Sequence, residues 1–240
     1  YVSSASVRMV TPLREAGPFL RASSGSLPAS VQSAAMETVK VRAGRGTVSY
    51  GSGVHIGGGY ILSCYHTVEG TPIGTQQVQW PGGKWVAAQV LAKDKRADLT
   101  LKQVRPCDVP TNHPGVDVAV RHPQEGEPLY LVGYPSGERL SFWAGRATGR
   151  NYSSGFATDR WVIPGYSGGP TFAADGSVIG VTVLSDYADV RSESISVSPA
   201  AINDLLRPYG QQIAAARVNC YGGRCDPCQP QEYYPGQGGS

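Results

Sequence analysis

The segment Pro164-Gly-Tyr-Ser-Gly-Gly-Pro170 sets one serine among three glycines, between the apolar pair Val162-Ile163 and a strand-like Thr171-Phe172. Glycine adopts backbone angles that other residues resist, so such a loop can turn sharply enough to aim successive N–H groups at one point. The backbone amides of Gly165 and Ser167 are the candidate oxyanion donors, and the Ser167 hydroxyl beside them is placed to attack a carbonyl. An inert glycine-rich hairpin has the same composition, so the chemistry needs a base and an orienting acid elsewhere in the chain.

Chain order narrows the choice of both. The same residues satisfy Gly-x-Ser-x-Gly, the elbow of a fold that puts its histidine after the serine; here His55, His66, His113 and His122 all precede Ser167. An Asp-His-Ser order needs an aspartate before the histidine, and none occurs before Asp94. Only His113 and His122 satisfy it, and they sit in the turn-like sequences Asn112-His-Pro-Gly and Arg121-His-Pro. The order His, Asp, Ser remains. His66 ends the apolar run Tyr60-Ile-Leu-Ser-Cys-Tyr-His, where a β core would hold its imidazole at the mouth of a strand. His55 has alternating neighbours and reads as a mid-strand side chain facing solvent or a neighbour. Asp98 opens a strand in Ala97-Asp-Leu-Thr-Leu, where it can be buried against the histidine and stabilise an imidazolium. Asp94, in the charged turn Asp94-Lys-Arg, is the runner-up.

The elements that must position these residues read as strands. Charged residues are 16% of the 240, against 31 Gly and 18 Pro, a balance that favours short strands and turns over long charged helices. Residues 1–35 are rich in Ser, Ala, Pro and Gly and read as an extended or disordered lead-in. From Met36, short apolar or alternating segments follow at Glu37–Arg42, Thr47–Tyr50, Gly53–Ile56, Tyr60–Ser63, Val86–Leu91 and Asp98–Val104. Others follow at Val116–Val120, Leu129–Val132, Leu140–Ala144, Trp161–Ile163, Val178–Leu184 and Ser194–Val197. About a dozen strands suit closed barrels better than an open sheet. Residues 107–128 read as the bridge between two halves, and Ser198-Pro-Ala-Ala-Ile-Asn-Asp-Leu-Leu as a helix capped by Ser198. Residues 208–240 read as a Cys-, Gly-, Pro- and Gln-rich tail.

Composition also excludes. The net charge of +3 is scattered, with no basic run of the kind that neutralises a phosphate backbone, so nucleic-acid binding is not expected. No apolar stretch approaches the length of a membrane span. The chain opens at Tyr1 without an apolar signal core and is expected to be a mature form or a fragment; an exported and a viral polyprotein setting both fit. Of five cysteines, Cys220, Cys225 and Cys228 crowd near the end, and Cys64 and Cys107 lie in the body. Three close cysteines supply only three of four zinc ligands, so disulfides or free thiols are the reading taken and no metal is assigned.

Three segments in this order, Ile61-Leu-Ser-Cys-Tyr-His-Thr-Val, Ala97-Asp-Leu-Thr-Leu and Gly165-Tyr-Ser-Gly-Gly-Pro, resemble the signatures of the trypsin-like serine proteases over residues 36–207. Leu131-Val-Gly-Tyr-Pro and Asp175-Gly-Ser-Val-Ile-Gly-Val resemble the HtrA-type and related viral branch, with no PDZ domain visible. The resemblance implies an all-β, chymotrypsin-like fold of two six-stranded antiparallel barrels, about 36–112 and 126–198, with the site between them and a short C-terminal helix. It implies a serine endopeptidase acting on polypeptides through His66, Asp98 and Ser167 and an acyl-enzyme, without metal or cofactor. Excision from a polyprotein, or an inactive protease fold kept for binding, are the alternatives. The family's pocket floor falls on Trp161, which excludes selection of Arg or Lys by an acid there, with Asp159 and Asp186 within reach of a loop-length change. No histidine follows the serine to read Glu or Gln, so an apolar or small side chain is expected. Val183, Leu184 and Ser185 are expected to run beside the substrate as an added strand. Where zymogen-activated relatives have an aspartate, this chain has Tyr166, so its loop must be ordered otherwise, as by packing of that ring. Thr67 replaces a cysteine, so the usual disulfide of that loop is absent.

Overall fold

A computed structural model describes residues 11–16, 19–22, 27–44, 49–72, 74–137, 139–183 and 193–221. A hairpin of β1 (Thr11–Ala16) and β2 (Phe19–Ala22) precedes helix α1 (Ala29–Ala35). Seven strands follow: β3 (Thr38–Ala43), β4 (Ser49–His55), β5 (Tyr60–Cys64), β6 (Gln77–Gln79), β7 (Val86–Ala87), β8 (Gln89–Asp94) and β9 (Leu99–Gln103). Six more form the second half: β10 (Pro128–Gly133), β11 (Ser141–Tyr152), β12 (Gly155–Thr158), β13 (Pro170–Phe172), β14 (Val178–Val183) and β15 (Ser194–Val197). Helices α2 (Pro199–Leu206) and α3 (Gly210–Tyr221) end the described chain.

The second half is a closed antiparallel barrel in the order β10-β13-β14-β15-β12-β11, sealed by pairing of β10 with β11, and β1 extends it along β11. The first half runs β7-β6-β3-β4-β5-β9-β8. Of the two six-stranded barrels expected, the second is closed, and the first is a half-barrel of seven strands without a closing pair among the described residues. The all-β, two-half chymotrypsin-like architecture stands.

Apolar alternation explains the two interiors. Val39, Val41, Ile61, Val78 and Trp80 fill the first, and Leu129, Phe156 and Ile179 the second. The opposite faces of β5 and β9, through Leu62, Leu99 and Leu101, meet Val132, Phe172 and Val181 of the second barrel. Helix α2 seals that seam with Ile202 and Leu206. Ser198 caps it as its sequence predicts, its hydroxyl accepting from the Ala201 amide.

Several expectations are corrected. Residues 29–35, expected in an extended or disordered lead-in, form α1, with Val31 and Ala35 buried against the core and Ser30 donating to the carbonyl of Ala174. The expected tail from residue 208 begins instead as α3; Arg217 donates to the Ile56 carbonyl at 2.7 Å, and an added Cβ on Gly58 would strike Ala216. Residues 116–120 form no strand and make only a parallel bridge from Val118 to Val178, because their amides divide between the two halves, Val116 to His55 and Ala119 to Val178. Residues 161–163 are loop, turned by the bond from Tyr166 to Ile163 ahead of Ser167. No helix among the described residues is long and apolar enough to cross a membrane.

Candidate active site

Antiparallel pairing of β5 with β9 sets Cys64 opposite Leu99, so His66, just past β5, and Asp98, just before β9, are neighbours across the sheet. Asp98 takes φ +56°, a left-handed conformation that aspartate tolerates better than most residues. In that pose it serves two successive residues. Its carbonyl accepts from Tyr65 N–H at 3.1 Å, and its Oδ1 from His66 N–H at 2.8 Å. Its Oδ2 lies 2.7 Å from His66 Nδ1. A carboxylate only accepts, so Nδ1 carries a proton, and in the neutral ring Nε2 holds the lone pair.

Asp94 is elsewhere, its Oδ1 accepting from Arg96 and Ala97 amides at 2.9 Å as an ordinary turn cap. His55 corrects the solvent-facing alternative. It is fully buried, 2.8 Å from Glu37 through Nδ1, and accepts from Gly59 N–H through Nε2. Burial pushes its pKa down despite the carboxylate. His113 is buried beside the same Glu37, and His122 is exposed against Asn151.

The Ser167 loop meets this pair edge on. An added Cβ on Gly51 would lie 2.7 Å from Thr67 and 2.9 Å from the Ser167 carbonyl. One on Gly168 would lie 2.9 Å from Cys64 N. Both neighbours must therefore be glycine for the Ser167 loop to pack against the histidine turn. Gly165 takes φ +105°, and an added Cβ there would overlap the Tyr134 carbonyl at 2.2 Å. The Pro164 carbonyl accepts from Ser136 N–H at 3.0 Å, so the Pro164–Gly165 peptide is fixed. The Gly165 and Ser167 amides make no hydrogen bond among the described residues, and both stay available as donors. Tyr166 is fully buried among Leu131, Val162, Trp143 and Ile163, its hydroxyl without a partner and its pKa raised by burial alone.

Two features escaped sequence reasoning. Cys64 Sγ lies 3.5 Å from His66 Nε2, so that nitrogen faces a thiol, and the Ser167 hydroxyl has no hydrogen bond among the described residues. The Asp98 hydrogen bond first, then that of Cys64, push the His66 pKa up to about 10 against the opposing effect of burial. Ser52 reaches the Ser167 loop from β4. Neither follows from spacing, since a side-chain rotamer decides one and a 113-residue separation the other.

Trp161 is 48% exposed, on the surface before the loop, and Val183 ends β14, half buried. Leu184, Ser185 and Asp186 lie outside the described residues, as do the side chains of Cys220, Cys225 and Cys228.

This arrangement of two β halves, a histidine–aspartate pair and a glycine-bracketed serine is that of the chymotrypsin-like serine proteases. The chain matches the trypsin-like peptidase domain over residues 51–181, more than half its length, and belongs to that family. It is 32% identical over 141 residues to the "Probable periplasmic serine endoprotease DegP-like" of Marinomonas sp. (strain MWYL1), covering 55% of this chain and 29% of that one. The protein of the same name from Halomonas elongata is 27% identical over 194 residues, 69% of this chain and 40% of the relative. The chain thus spans well under half the length of these curated relatives. Among solved structures, the active form of the Rv3671c protease from M. tuberculosis superposes with a TM-score of 0.67 at 21% identity, covering 77% of this chain and 88% of that one. The serine endoprotease from Yersinia pestis gives 0.66 at 21% identity, covering 75% and 64%.

Proposed function

We propose that this chain is a serine endopeptidase that cleaves polypeptides through His66, Asp98 and Ser167. The observation that carries the proposal is the pairing of a 2.7 Å His66–Asp98 contact with two unengaged amides, Gly165 and Ser167, bracketing the serine. In the reaction, the His66 ring turns Nε2 from Cys64 to the Ser167 hydroxyl and accepts its proton as the oxygen attacks the peptide carbonyl. The resulting oxyanion draws on the Gly165 and Ser167 N–H groups. Asp98 holds the tautomer and offsets the imidazolium charge, and His66 then gives the proton to the leaving amine. Water attacks the acyl-enzyme by the same route in reverse, so no metal or cofactor is needed.

Substrate would lie against the end of β14 at Val183 and continue along Leu184 and Ser185, with the exposed Trp161 ring beside the substrate side chain and an apolar or small residue at the cleaved bond. The protease domain is read as residues 36–207, with α1 before it and α3 after it packed onto that domain. Incubation with a quenched-peptide library tests the reading. Wild-type chain is expected to release fluorescence and Ser167→Ala to release none; peptide bound but uncut by the wild type would favour the inactive, binding form of the fold.

A further inference from the structure

Ser52 lies in β4, in the first half of the molecule, yet all of its polar atoms serve the nucleophile loop or the strands that flank it. It is fully buried. Its hydroxyl donates to the Gly165 carbonyl at 2.6 Å and accepts from Tyr134 N–H at 2.9 Å. Its amide donates to the Ser167 carbonyl at 2.8 Å, and its carbonyl accepts from the Ser63 hydroxyl at 2.8 Å.

Given the serine-protease reading of this loop, we propose that Ser52 is a positioning residue for the oxyanion hole, fixing the peptide plane after Gly165 directly and the plane before it through Tyr134, so that the Gly165 and Ser167 amides converge. Gly165 has no side chain to limit its dihedrals, and its positive φ is one of several it can take. Its direction is therefore set by its carbonyl neighbours. The Pro164 carbonyl is tied to Ser136, and the Gly165 carbonyl has the Ser52 hydroxyl as its only hydrogen-bond partner among the described residues. The same hydroxyl anchors Tyr134, two residues before Ser136, so one oxygen holds both the loop and the wall it rests on. Removing it leaves a buried carbonyl without a donor, which favours rotation of the Gly165–Tyr166 peptide, on the path between the two amides.

The test is turnover of a peptide ester by wild type, Ser52→Ala and Ser52→Thr, each expressed per active serine after burst titration. Loss of one oxyanion donor costs about 100-fold or more in kcat, so a donor mis-aimed in Ser52→Ala is expected to lower kcat about 10- to 100-fold with KM little changed. Ser52→Thr, which keeps the hydroxyl, is expected to recover most of it. A merely structural role would lower the titratable fraction and leave kcat per titrated site at the wild-type value, and that result would overturn the proposal. If the alanine variant does not fold, Ser52→Cys retains a weak donor in the same space. It is then expected to turn over more slowly per titrated site than wild type, and an equal rate would overturn the proposal. A wild type without a burst at Ser167 would instead refute the serine-protease reading itself.

Discussion

Ser167 and its neighbours are buried and the loop is tied to the strands around it, whereas His66 and Asp98, at the other edge of the same site, have side chains 41% and 29% exposed. The loop receives Ser52 and Ser136 from outside it, closes on itself through Gly169 to Tyr166, and passes its Gly168 amide to Thr182 on β14. The histidine is held by Asp98 alone on one side and by a thiol on the other. Under the proposed serine-protease function the difference has a chemical logic. Donors that stabilise a developing charge work best when they need no reorganisation, whereas a base that receives a proton and passes it on must turn between partners.

The comparison breaks most visibly at its exposed edge. Asp98→Asn keeps the shape but removes the charge and favours the wrong His66 tautomer, so kcat is expected to fall about 10⁴-fold in steady-state peptide cleavage. Because Asp98 is the largest cause of the raised His66 pKa, the pH profile should move with it. A general base must be neutral to work, so activity follows the deprotonated fraction and rises with pH. In the wild type that rise is expected well to the alkaline side of the ordinary histidine value of 6.5, and in Asp98→Asn it is expected to move toward acid.

At the fixed edge, Tyr166→Ala empties the space beneath the loop and is expected to cost about 3–5 kcal/mol in urea unfolding, in the range of other buried aromatic truncations. Cys64→Ala removes the second cause of the raised His66 pKa, so the activity–pH curve should shift toward acid, by less than in Asp98→Asn. At neutral pH that variant is expected to cleave faster than wild type. The smallest effect is expected from Tyr166→Phe, which removes a buried hydroxyl that has no partner and should leave the melting temperature unchanged or slightly higher.

The residues brought together here were legible in the sequence where local pattern and chain order carry the information. An apolar strand ending in His66, an aspartate opening the next strand and a glycine-bracketed serine are each local, and β5–β9 pairing makes the first two neighbours. Asp98 could be preferred over Asp94 because a strand edge differs from a charged turn. What stayed hidden depends on tertiary detail. Residues 116–120 have the composition of a strand, but their amides go to two different halves of the molecule. Helix α1 is a weakly amphipathic stretch of Ala and Ser that exists because Val31 and Ala35 find a core to cover. Ser52 carries no signal at all, because the partners of its hydroxyl lie 82 and 113 residues away.

The central claim, that Ser167 is a nucleophile activated by His66, is tested most directly by a fluorophosphonate probe followed by mapping of the modified peptide. The wild-type chain is expected to carry the label on Ser167, with heat-denatured protein and Ser167→Ala unlabelled and His66→Ala labelled far more slowly. Labelling that persists in Ser167→Ala, or a wild type that stays unlabelled while folded, would contradict it.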